Sequence, residues 1–457
     1  MTKPTSNRHC PDSSPGSTSP TDRDAVVGEI EQFLKDALIQ MAPDLVEVRR
    51  EGPGRPRVLP SLALWAGLLI CVLKGFSSKL DLWRLLNKHQ LWFYPRFPVS
   101  DQAVYDRLDR AGVAPMEQLF CQISSILKDR LAPFALRDLA PFAAEVVALD
   151  ESTLDPMARK LPSLRGLPKG DRRLLPGKLA GLFDLRRQQW MRIQHIANPD
   201  QNEKVAARAM VEALPKTSLI LADLGYFGFA WLDHLTDQGY YWISRLRAKT
   251  SYEVLHVYYQ SADIFDGVVW LGAYRADRAA HAVRLVQFEV SGTTYSYLTN
   301  VLDPLQLPIQ EIARLYARRW DIELAINLVK THLKLHILWS TKTVTILQQL
   351  FAVLIISQVL QALRMEIAGR AQVDPFEVSM QLLVRWMPQY AYEGQDPVAG
   401  FVSEGRDMGF IRPSRRTIIK APLIPADQID PIPDNLPLVR LPRYAGKIGR
   451  IPSTIPK

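Results

Sequence analysis

The sequence predicts a mixed α/β protein with a helical N-terminal region and a C-terminal region that is first helical and then extended. Three observations predict this class. Apolar residues recur at helical spacing from Glu29 to about Leu139, short apolar runs alternate with helical segments in the middle of the chain, and Pro becomes frequent after Phe410. Because strand-like runs are interleaved with helices in the central part, we expect an α/β sheet there.

The composition is that of a globular chain with a basic excess. The 457 residues are 47% hydrophobic and 23% charged, so a large core can be buried, in roughly two to four domains. The net charge of +9 weakly favours a polyanionic partner. Cys10, Cys71 and Cys121 form no C-x-x-C pair, which indicates neither a disulfide framework nor a zinc knuckle. We therefore expect a reducing, cytoplasmic environment.

Two apolar segments are candidates for buried helices. The run Leu59–Leu73 is shorter than the ~20 residues that span a bilayer. The segment TILQQLFAVLIISQVLQALRMEIAG, residues 345–369, is apolar on all sides, as core helices are. The first 25 residues are polar, rich in Pro and Ser, and lack the apolar stretch of a signal peptide. We expect a disordered tail there and no membrane partner.

The N-terminal region contains one short helix with clear end signals. Ser100 can cap a helix that starts at Asp101, and Gly112 can end it. The helix is dense in Asp and Arg. It is either a DNA-recognition helix or a solvated face, and the second is the commoner case.

The central part carries the strand signals. AAEVVALDES is a short apolar run, and KLAGLFDLRRQQWMRIQHI has the pattern of a hairpin that turns near Arg186–Gln189. The run TSLILADLGYFG ends in an aspartate and a Gly turn. From Tyr240 to about Leu307 the sequence is mostly strand-like.

Three acidic residues are candidates for a metal site. Asp150 ends the run VVALD, Asp223 ends LILAD, and Glu323 lies in a later helix. Ligands of open α/β sheets usually lie at the carboxyl ends of the strands. Carboxylate oxygens suit Mg²⁺, and two such ions about 4 Å apart can assist phosphoryl transfer. A strand-end Asp is more often a turn residue or a cap, however. Asp150 also has three rivals, which are Glu151, Asp155 and Asp184.

The helix with Glu323 has an unusual charged face. In LYARRWDIELAINLVKTHLKLH, Leu315 to His336, five side chains share one face. At about 100° per residue they fall within a band of about 80°. They are Tyr316, Arg319, Glu323, Asn327 and Lys330. The plain interpretation is a solvated face with an Arg–Glu pair four residues apart. A basic–acidic–basic stripe also suits a phosphate site.

The spacing Tyr316-x2-Arg319-x3-Glu323-x6-Lys330 resembles the Y-(2)-R-(3)-E-(6)-K signature of DDE transposases from bacterial insertion sequences, of the insertion-sequence-four type. Asp150 in ALDEST and Asp223 in ADLGYF are similar to the first and second motifs of that family. The resemblance covers roughly residues 145–336. It implies an RNase H-like catalytic core that a β-strand insertion interrupts between Asp223 and Glu323.

The resemblance also implies a mechanism. Asp150, Asp223 and Glu323 would be catalytic and hold two Mg²⁺ ions, with Mn²⁺ able to substitute. Water, and then the freed 3′-hydroxyl, would attack phosphodiesters of double-stranded DNA at the element ends and in the target. Further implications are that Tyr316, Arg319 and Lys330 position DNA phosphates, that the enzyme acts as a homodimer or larger synaptic complex, and that it is cytoplasmic and nucleoid-associated.

Other DNA contacts are expected with less support from the pattern. Asn327 shares the charged face of the helix, and the basic loop Lys160–Lys178 contains Arg172 and Arg173. Trp270 in the insertion is a candidate to stack on a flipped base, although core packing is the commoner role. Two rival functions stay open. One is a nuclease that cuts DNA without joining it, and the other is a domesticated DNA-binding regulator.

The expected division of the chain has six parts. They are a disordered tail (1–25), a helical DNA-binding domain (26–140), the first part of the core (141–239), a β-rich insertion (240–310), the second part of the core (311–370) and a helical and extended C-terminal region (371–457).

Overall fold

The computed structural model describes residues 34, 37, 58–91, 94–153, 166, 177–198, 200–273, 277–335, 337–340, 342–393, 395–414, 416 and 418–444. The strands are β1 (Val146–Thr153), β2 (Lys178–Asp184), β3 (Gln189–Ile196), β4 (Leu219–Ala222), β5 (Tyr241–Arg245), β6 (Tyr252–Gln260), β7 (Ile264–Leu271), β8 (Val283–Val290) and β9 (Thr293–Thr299).

In the middle of the chain helices are interleaved with these strands, whereas the described regions before β1 and after β9 contain helices and no strand of the sheet. They are α1 (Ser61–Leu73), α2 (Lys79–Lys88), α3 (Asp101–Ala111), α4 (Ala114–Arg130), α5 (Glu203–Val211), α6 (Phe229–Asp237), α7 (Ile309–Arg318), α8 (Trp320–Asn327), α9 (Thr343–Ala371), α10 (Met380–Tyr392) and α11 (Pro397–Ser403). The predicted mixed α/β class is confirmed.

Within the described residues, nine strands form one sheet in the order β3-β2-β1-β4-β5-β9-β8-β7-β6. Strands β1, β4 and β5 are parallel neighbours, and β1, β2 and β3 are antiparallel. Strands β6 to β9 form an antiparallel meander that joins the rest of the sheet where β9 pairs with β5. The boundary expected at residue 240 assigns β5 to the insertion, but β5 pairs in parallel with β4 and continues the parallel part of the sheet.

Alternating residues of β1 lie in two different cores. Val146 and Ala148 belong to a core that also contains residues of α1 to α4 and α9. Val147 and Leu149 belong to a second core with residues of α5 and α6. Successive side chains of a strand point to opposite faces, so helices cover both faces of this part of the sheet.

Helix α9 is the centre of the larger core. It is long and apolar enough to cross a membrane by length and composition, but most of its apolar window is buried inside the protein. The N-terminal helices α1, α3 and α4 pack against it. Its Gln358 side chain accepts a hydrogen bond from Trp190 N at 2.8 Å and donates one to Trp190 O at 2.9 Å. The two predicted buried helices, at Leu59–Leu73 and residues 345–369, are confirmed.

The end signals of α3 act as the sequence predicts. Ser100 Oγ accepts a hydrogen bond from Ala103 N at 3.2 Å, and Gly112 ends the helix with a positive φ of 71°. Part of the charged face is bound to the rest of the protein, because Arg107 donates to Ser61 Oγ at 2.7 Å.

The segment predicted as one helix from Leu315 to His336 has three parts. Helix α7 ends at Arg318, α8 begins at Trp320, and residues Leu328–His332 form a π-helix. Leu333 N donates to Leu328 O at 2.9 Å, five residues back, which is the wide turn of a π-helix. The segment turns away after Leu333, where Lys334 has a positive φ of 58°.

The chain after α11 is extended, as expected, but it lies along its own protein. We call residues 412–414, 416 and 418–444 the C-terminal strap. Ile419 and Ile424 pack against the larger core, and Leu436 and Leu438 pack against Trp270 and its neighbours in the insertion. Other apolar side chains of the strap, such as Leu423 and Leu441, are exposed, so the strap lies on the surface of the protein and is held at separate points.

Candidate active site at the carboxyl ends of β1 and β4

Asp150 and Asp223 are neighbours at the edge where the parallel strands end. In the pairing of β1 with β4, Leu149 lies opposite Ala222; Asp150 is the next residue of β1, and Asp223 directly follows the end of β4. Asp150 follows Leu149 and therefore points to the other face of the sheet, the face of Ala148. Helix α8, which carries Glu323, packs against β1.

The rivals of Asp150 lie elsewhere. Glu151 points to the opposite face, where Lys178 Nζ lies 3.5 Å from its carboxylate. Asp184 pairs with Val147 and is buried against Arg187 Nη1 at 2.7 Å. Asp155 lies outside the described residues. Among the described candidates, Asp150 is therefore the carboxylate of β1 that lies on the same side as α8.

The turn after β4 fixes Asp223. Its Oδ1 atom accepts a hydrogen bond from Gly225 N at 2.7 Å and thereby caps a short 3₁₀ helix, Leu224–Tyr226. A Cβ atom on Gly225 would lie 2.7 Å from Glu203 Oε2 and 2.9 Å from Asp223 Oδ1. The turn therefore requires glycine for space between two carboxylates.

The signature residues of α7, α8 and the π-helix contact these strand ends. Arg319 Nη2 donates to Glu323 Oε1 at 2.8 Å. The buried Tyr316 hydroxyl donates to Ala222 O at 3.4 Å. Lys330 Nζ donates to Ser152 Oγ and, at 3.4 Å, to Thr153 O. The segment is thus fixed to both β1 and β4.

The carboxylates are close enough to influence one another. The pKa of Asp150 is raised to about 7, mainly by burial and to a smaller extent by the charges of Asp223 and Glu323, while a hydrogen bond from Glu151 N and the charge of Arg319 oppose the rise. Burial lowers the pKa of Lys330, and the charge of Asp150 opposes that shift. Crowded charges with shifted pKa values in a cleft are typical of functional sites.

The carboxylates of Asp150, Asp223 and Glu323 do not all point to one common position. Among the residues that the structure describes, no group of three His, Cys, Asp or Glu side chains is placed to hold a metal ion. Glu323 is paired with Arg319 and Asp223 with Gly225 N. The side chains of Asp150, Asp223 and Glu323 are nevertheless suitable ligands for Mg²⁺, because all of their possible donor atoms are carboxylate oxygens.

A cleft of about 560 Å³ opens beside Asp223. The residues that line it are mostly basic or aromatic, and they come from β5, β9, α7, α8 and the C-terminal strap. They include Arg245, Tyr297, Tyr316, Arg319, Trp320, Leu324, Arg416 and Ile419. Trp320 is 56% exposed, so one of its faces is available to a ligand.

Most of these lining residues were not predicted from the sequence, and Arg245, Trp320 and Arg416 are among them. Arg245 ends β5, and its position at the carboxyl end of a parallel strand was the available signal. Trp320 follows Arg319 directly, but a helical wheel places it outside the charged band. Arg416 lies more than 90 residues later, and no local pattern connects it to the site.

The other predicted DNA contacts have different surroundings. Asn327 is exposed, and its Oδ1 atom accepts a hydrogen bond from Thr331 Oγ1 at 2.8 Å. Trp270 is only 6% exposed and lies in a small core, with the Arg440 guanidinium 4.5 Å from its ring centre. To meet a DNA base, Trp270 would have to leave this position. Arg172 and Arg173 lie outside the described residues.

Comparison with known proteins supports the class of DDE transposases. Residues 152–358 match the family model of the transposase DDE domain. The matched segment is somewhat less than half of the chain. It begins two residues after Asp150 and includes Asp223, Glu323 and Lys330. No curated protein sequence matches the chain.

One solved structure of similar size is a piggyBac transposase synaptic complex with hairpin DNA, determined by cryo-electron microscopy. The match covers 89% of this chain and 87% of that chain, with 9% sequence identity and a TM-score of 0.40. A likeness this low carries no argument about function.

Proposed function

We propose that this protein is a DDE transposase of a bacterial insertion sequence, of the insertion-sequence-four type. One observation carries the proposal. Asp150 and Asp223 follow a paired position on two parallel strands, and Glu323 lies on the helix that packs against β1. Most of this arrangement falls in the segment that matches the transposase DDE domain.

The catalytic core in this proposal is RNase H-like. The strand order β3-β2-β1-β4-β5, with β1 to β3 antiparallel and β1, β4 and β5 parallel, supports such a core. The meander β6 to β9 lies between Asp223 and Glu323 in sequence and extends the same sheet. This is the place at which the family resemblance implies a β-strand insertion.

Asp150, Asp223 and Glu323 would hold two Mg²⁺ ions, or Mn²⁺ in their place. The charges of Asp223 and Glu323 both act on Asp150, which supports this role, because neighbouring carboxylates are a binding set for hard cations. The bound cations would activate the attacking oxygen and stabilise the leaving oxygen of a phosphodiester. Glu323 would have to exchange its contact with Arg319 for the metal.

The basic residues of the cleft would hold DNA phosphates. Arg319 is close enough to Glu323 to contact a phosphate beside it. Lys330 would place its charge beside Asp150, and Tyr316 would support Arg319 through its ring, 5.9 Å from the guanidinium. The guanidinium of Arg245 lies 5.9 Å from the Tyr316 ring centre, has no hydrogen-bond or ion-pair partner among the described residues and is exposed in the cleft. We add it to the expected phosphate contacts.

The partners would be double-stranded DNA at the element ends and in the target, bound by a homodimer or a larger synaptic complex in the cytoplasm. The freed 3′-hydroxyl would be the nucleophile of strand transfer. Asn327, Arg172, Arg173 and Trp270 stay predicted DNA contacts. The net charge of +9 agrees with a polyanionic partner.

The test is an assay with DNA that carries the inverted repeats flanking the coding region. We expect Mg²⁺-dependent cleavage at the repeat ends and joining of the 3′-hydroxyl ends to a second DNA. Glu323→Gln should abolish both steps, since it removes a metal ligand but keeps the size of the side chain. Glu212→Gln, at an exposed carboxylate beyond the end of α5, is the matched control.

Each rival function has its own outcome. Cleavage without joining would leave a nuclease and reject the transposase. Binding without cleavage under all metal conditions would leave a DNA-binding regulator. Full cleavage by Glu323→Gln would reject the assigned site.

A further inference from the structure

The C-terminal strap contacts both the helix that carries Glu323 and the β-rich insertion. Its first part passes the cleft at Arg416 and Ile419. Its last part reaches Tyr444, whose hydroxyl donates to the buried Asp233 of α6 at 2.8 Å. One extended segment therefore connects elements that are far apart in the sequence.

At the cleft, the strap is held by a buried ion pair. Arg416 Nη2 donates to Asp321 Oδ1 and, at 2.9 Å, to Ala317 O. The guanidinium of Arg416 also stacks on Phe376, 4.5 Å from the ring centre. These contacts connect the strap to α7, to α8 and to the short segment after α9.

Asp321 is the point at which α8 is fixed in the protein interior. It is 1% exposed, and its other partners are Gln188 Nε2 at 2.8 Å and Arg318 Nη1 at 3.7 Å. Arg416 lies nearer to Asp321 than Arg318 does, so removing Arg416 would leave the buried carboxylate with the more distant cation. Asp321 stands two residues before Glu323 on the same helix, so the orientation of α8 about its axis depends on this pair.

The other end of the strap is held by the insertion. Ala282 N donates to Leu438 O at 2.8 Å, and Arg440 N donates to Ala280 O at 2.8 Å. Arg440 Nη2 donates to Leu271 O at 2.6 Å while its guanidinium stacks on Trp270. Arg440 thus donates to a carbonyl and stacks on an aromatic ring as Arg416 does, but without an ion pair among the described residues and at a distance from α8.

We propose that Arg416 is a positioning residue for the reaction. Through its ion pair with Asp321, Arg416 holds α8 in the orientation that places Glu323 near Asp150 and Asp223. Arg416 itself is held at this position by the strap. This inference rests on the proposed function, which makes Glu323 a metal ligand. The C-terminal strap, whose Pro-rich composition is typical of an extended tail, would then be a part of the active site.

The test compares Arg416→Gln, Arg416→Lys and the matched control Arg440→Gln in the full chain. For Arg416→Gln we expect at least about a tenfold loss of cleavage rate and a higher Mg²⁺ concentration for half-maximal rate, because a small displacement of Glu323 is costly. Arg416→Lys should recover part of both, since it keeps a positive charge beside Asp321. Arg440→Gln should stay within about twofold of the wild type.

Hydrogen–deuterium exchange provides a second readout that does not depend on activity. Peptides that cover residues 320–327 should exchange faster in Arg416→Gln and not in Arg440→Gln, whose faster exchange should be confined to the insertion and the strap. If Arg416→Gln does not fold, Arg416→Lys decides, with an intermediate shift in Mg²⁺ dependence as the supporting result.

Two results would overturn the proposal. One is wild-type Mg²⁺ dependence and wild-type exchange of α8 in Arg416→Gln. The other is an equal loss in Arg440→Gln, which would indicate general loosening of the strap. A failure of the proposed function is distinguishable, because the wild type would then show no Mg²⁺-dependent cleavage while the exchange of α8 would still respond to Arg416→Gln.

Discussion

At the scale of single residues, the burial of the Asp150 carboxylate has a free-energy cost that depends on pH. Burial raises its pKa from the ordinary 3.8 to about 7. The folded protein therefore binds a proton at this site more tightly than the unfolded chain does, and ionisation of Asp150 opposes folding. The cost is complete above about pH 7, declines as the pH falls from 7 towards 3.8, and is absent below that value.

Asp150→Asn should therefore stabilise the metal-free protein at high pH. We expect a gain on the order of 1–3 kcal/mol above pH 7 that fades towards pH 4, because the neutral amide avoids the buried charge. Thermal unfolding in the presence of a chelator, at several pH values, measures it. A gain that is the same at every pH would contradict the role of ionisation.

The same experiment includes a control for metal binding. Added Mg²⁺ should raise the melting temperature of the wild type at pH 8, since a ligand that binds only the folded state stabilises it. It should raise that of Asp150→Asn much less. Equal shifts for both proteins would show that Asp150 is not a ligand.

At the scale of elements, the turn after β4 has a requirement that can be tested. Gly225→Ala would place a Cβ atom 2.7 Å from Glu203 Oε2 and 2.9 Å from Asp223 Oδ1. We expect cleavage activity to fall by at least about tenfold, because Asp223 must move away from its position. The measurement is the cleavage rate at saturating Mg²⁺, together with the melting temperature.

Gly228→Ala is the matched control in the same turn. Its Cβ atom would meet only the end of the Lys204 side chain, at 3.1 Å, and that flexible chain can move. Activity close to that of the wild type is expected. Loss of activity in Gly228→Ala, or its retention in Gly225→Ala, would contradict the spatial argument.

Elements with strong periodic patterns could be predicted from the sequence. The hairpin β2–β3, the strands β6 to β9 and the two buried helices were predicted because apolar spacing reports directly on burial. The break between α7 and α8 and the π-helix were not. A helical wheel assumes a constant turn, whereas the contact of Lys330 with Ser152 forms only after the chain folds.

At the scale of the whole molecule, α9 joins the N-terminal helices and the sheet in one core. Gln358→Ala should destabilise the protein by about 2–5 kcal/mol, because it leaves the buried N and O atoms of Trp190 without their partner. Urea unfolding measures this, and fluorescence and circular dichroism should report the same transition. Gln389→Ala, at an exposed side chain whose partner among the described residues is the nearby Glu393, should have little effect.

Unfolding in two steps would contradict the idea of one shared core. So would an equal loss of stability in Gln389→Ala. Coincident transitions that shift together in Gln358→Ala are the expected result, since the contacts of Gln358 connect α9 to β3 and, through Ser124 Oγ at 2.8 Å, to α4.

Only some residues of the candidate site could be predicted from the sequence. Asp150, Asp223 and Glu323 could be proposed because strand ends and a spaced signature are local features. Arg416 could not, because its contacts with Asp321 and Ala317 form across the fold and leave no local pattern in the sequence. The strap was missed for the same reason. Its contacts are with distant segments, such as that of Arg416 with Asp321 and that of Leu438 with the insertion, and a Pro-rich composition gives no sign of them.

The pairing of β9 with β5 has a further consequence. Without the meander, β5 would end the parallel sheet with unpaired N–H and C=O groups beside Arg245 and the cleft. Such an exposed edge is a template for another strand and a route to aggregation. The meander moves that edge outwards to β6, away from the carboxylates. We therefore expect a shortened protein that joins Arg245 directly to Asn300 to expose the unpaired edge of β5 beside the cleft and to aggregate through it.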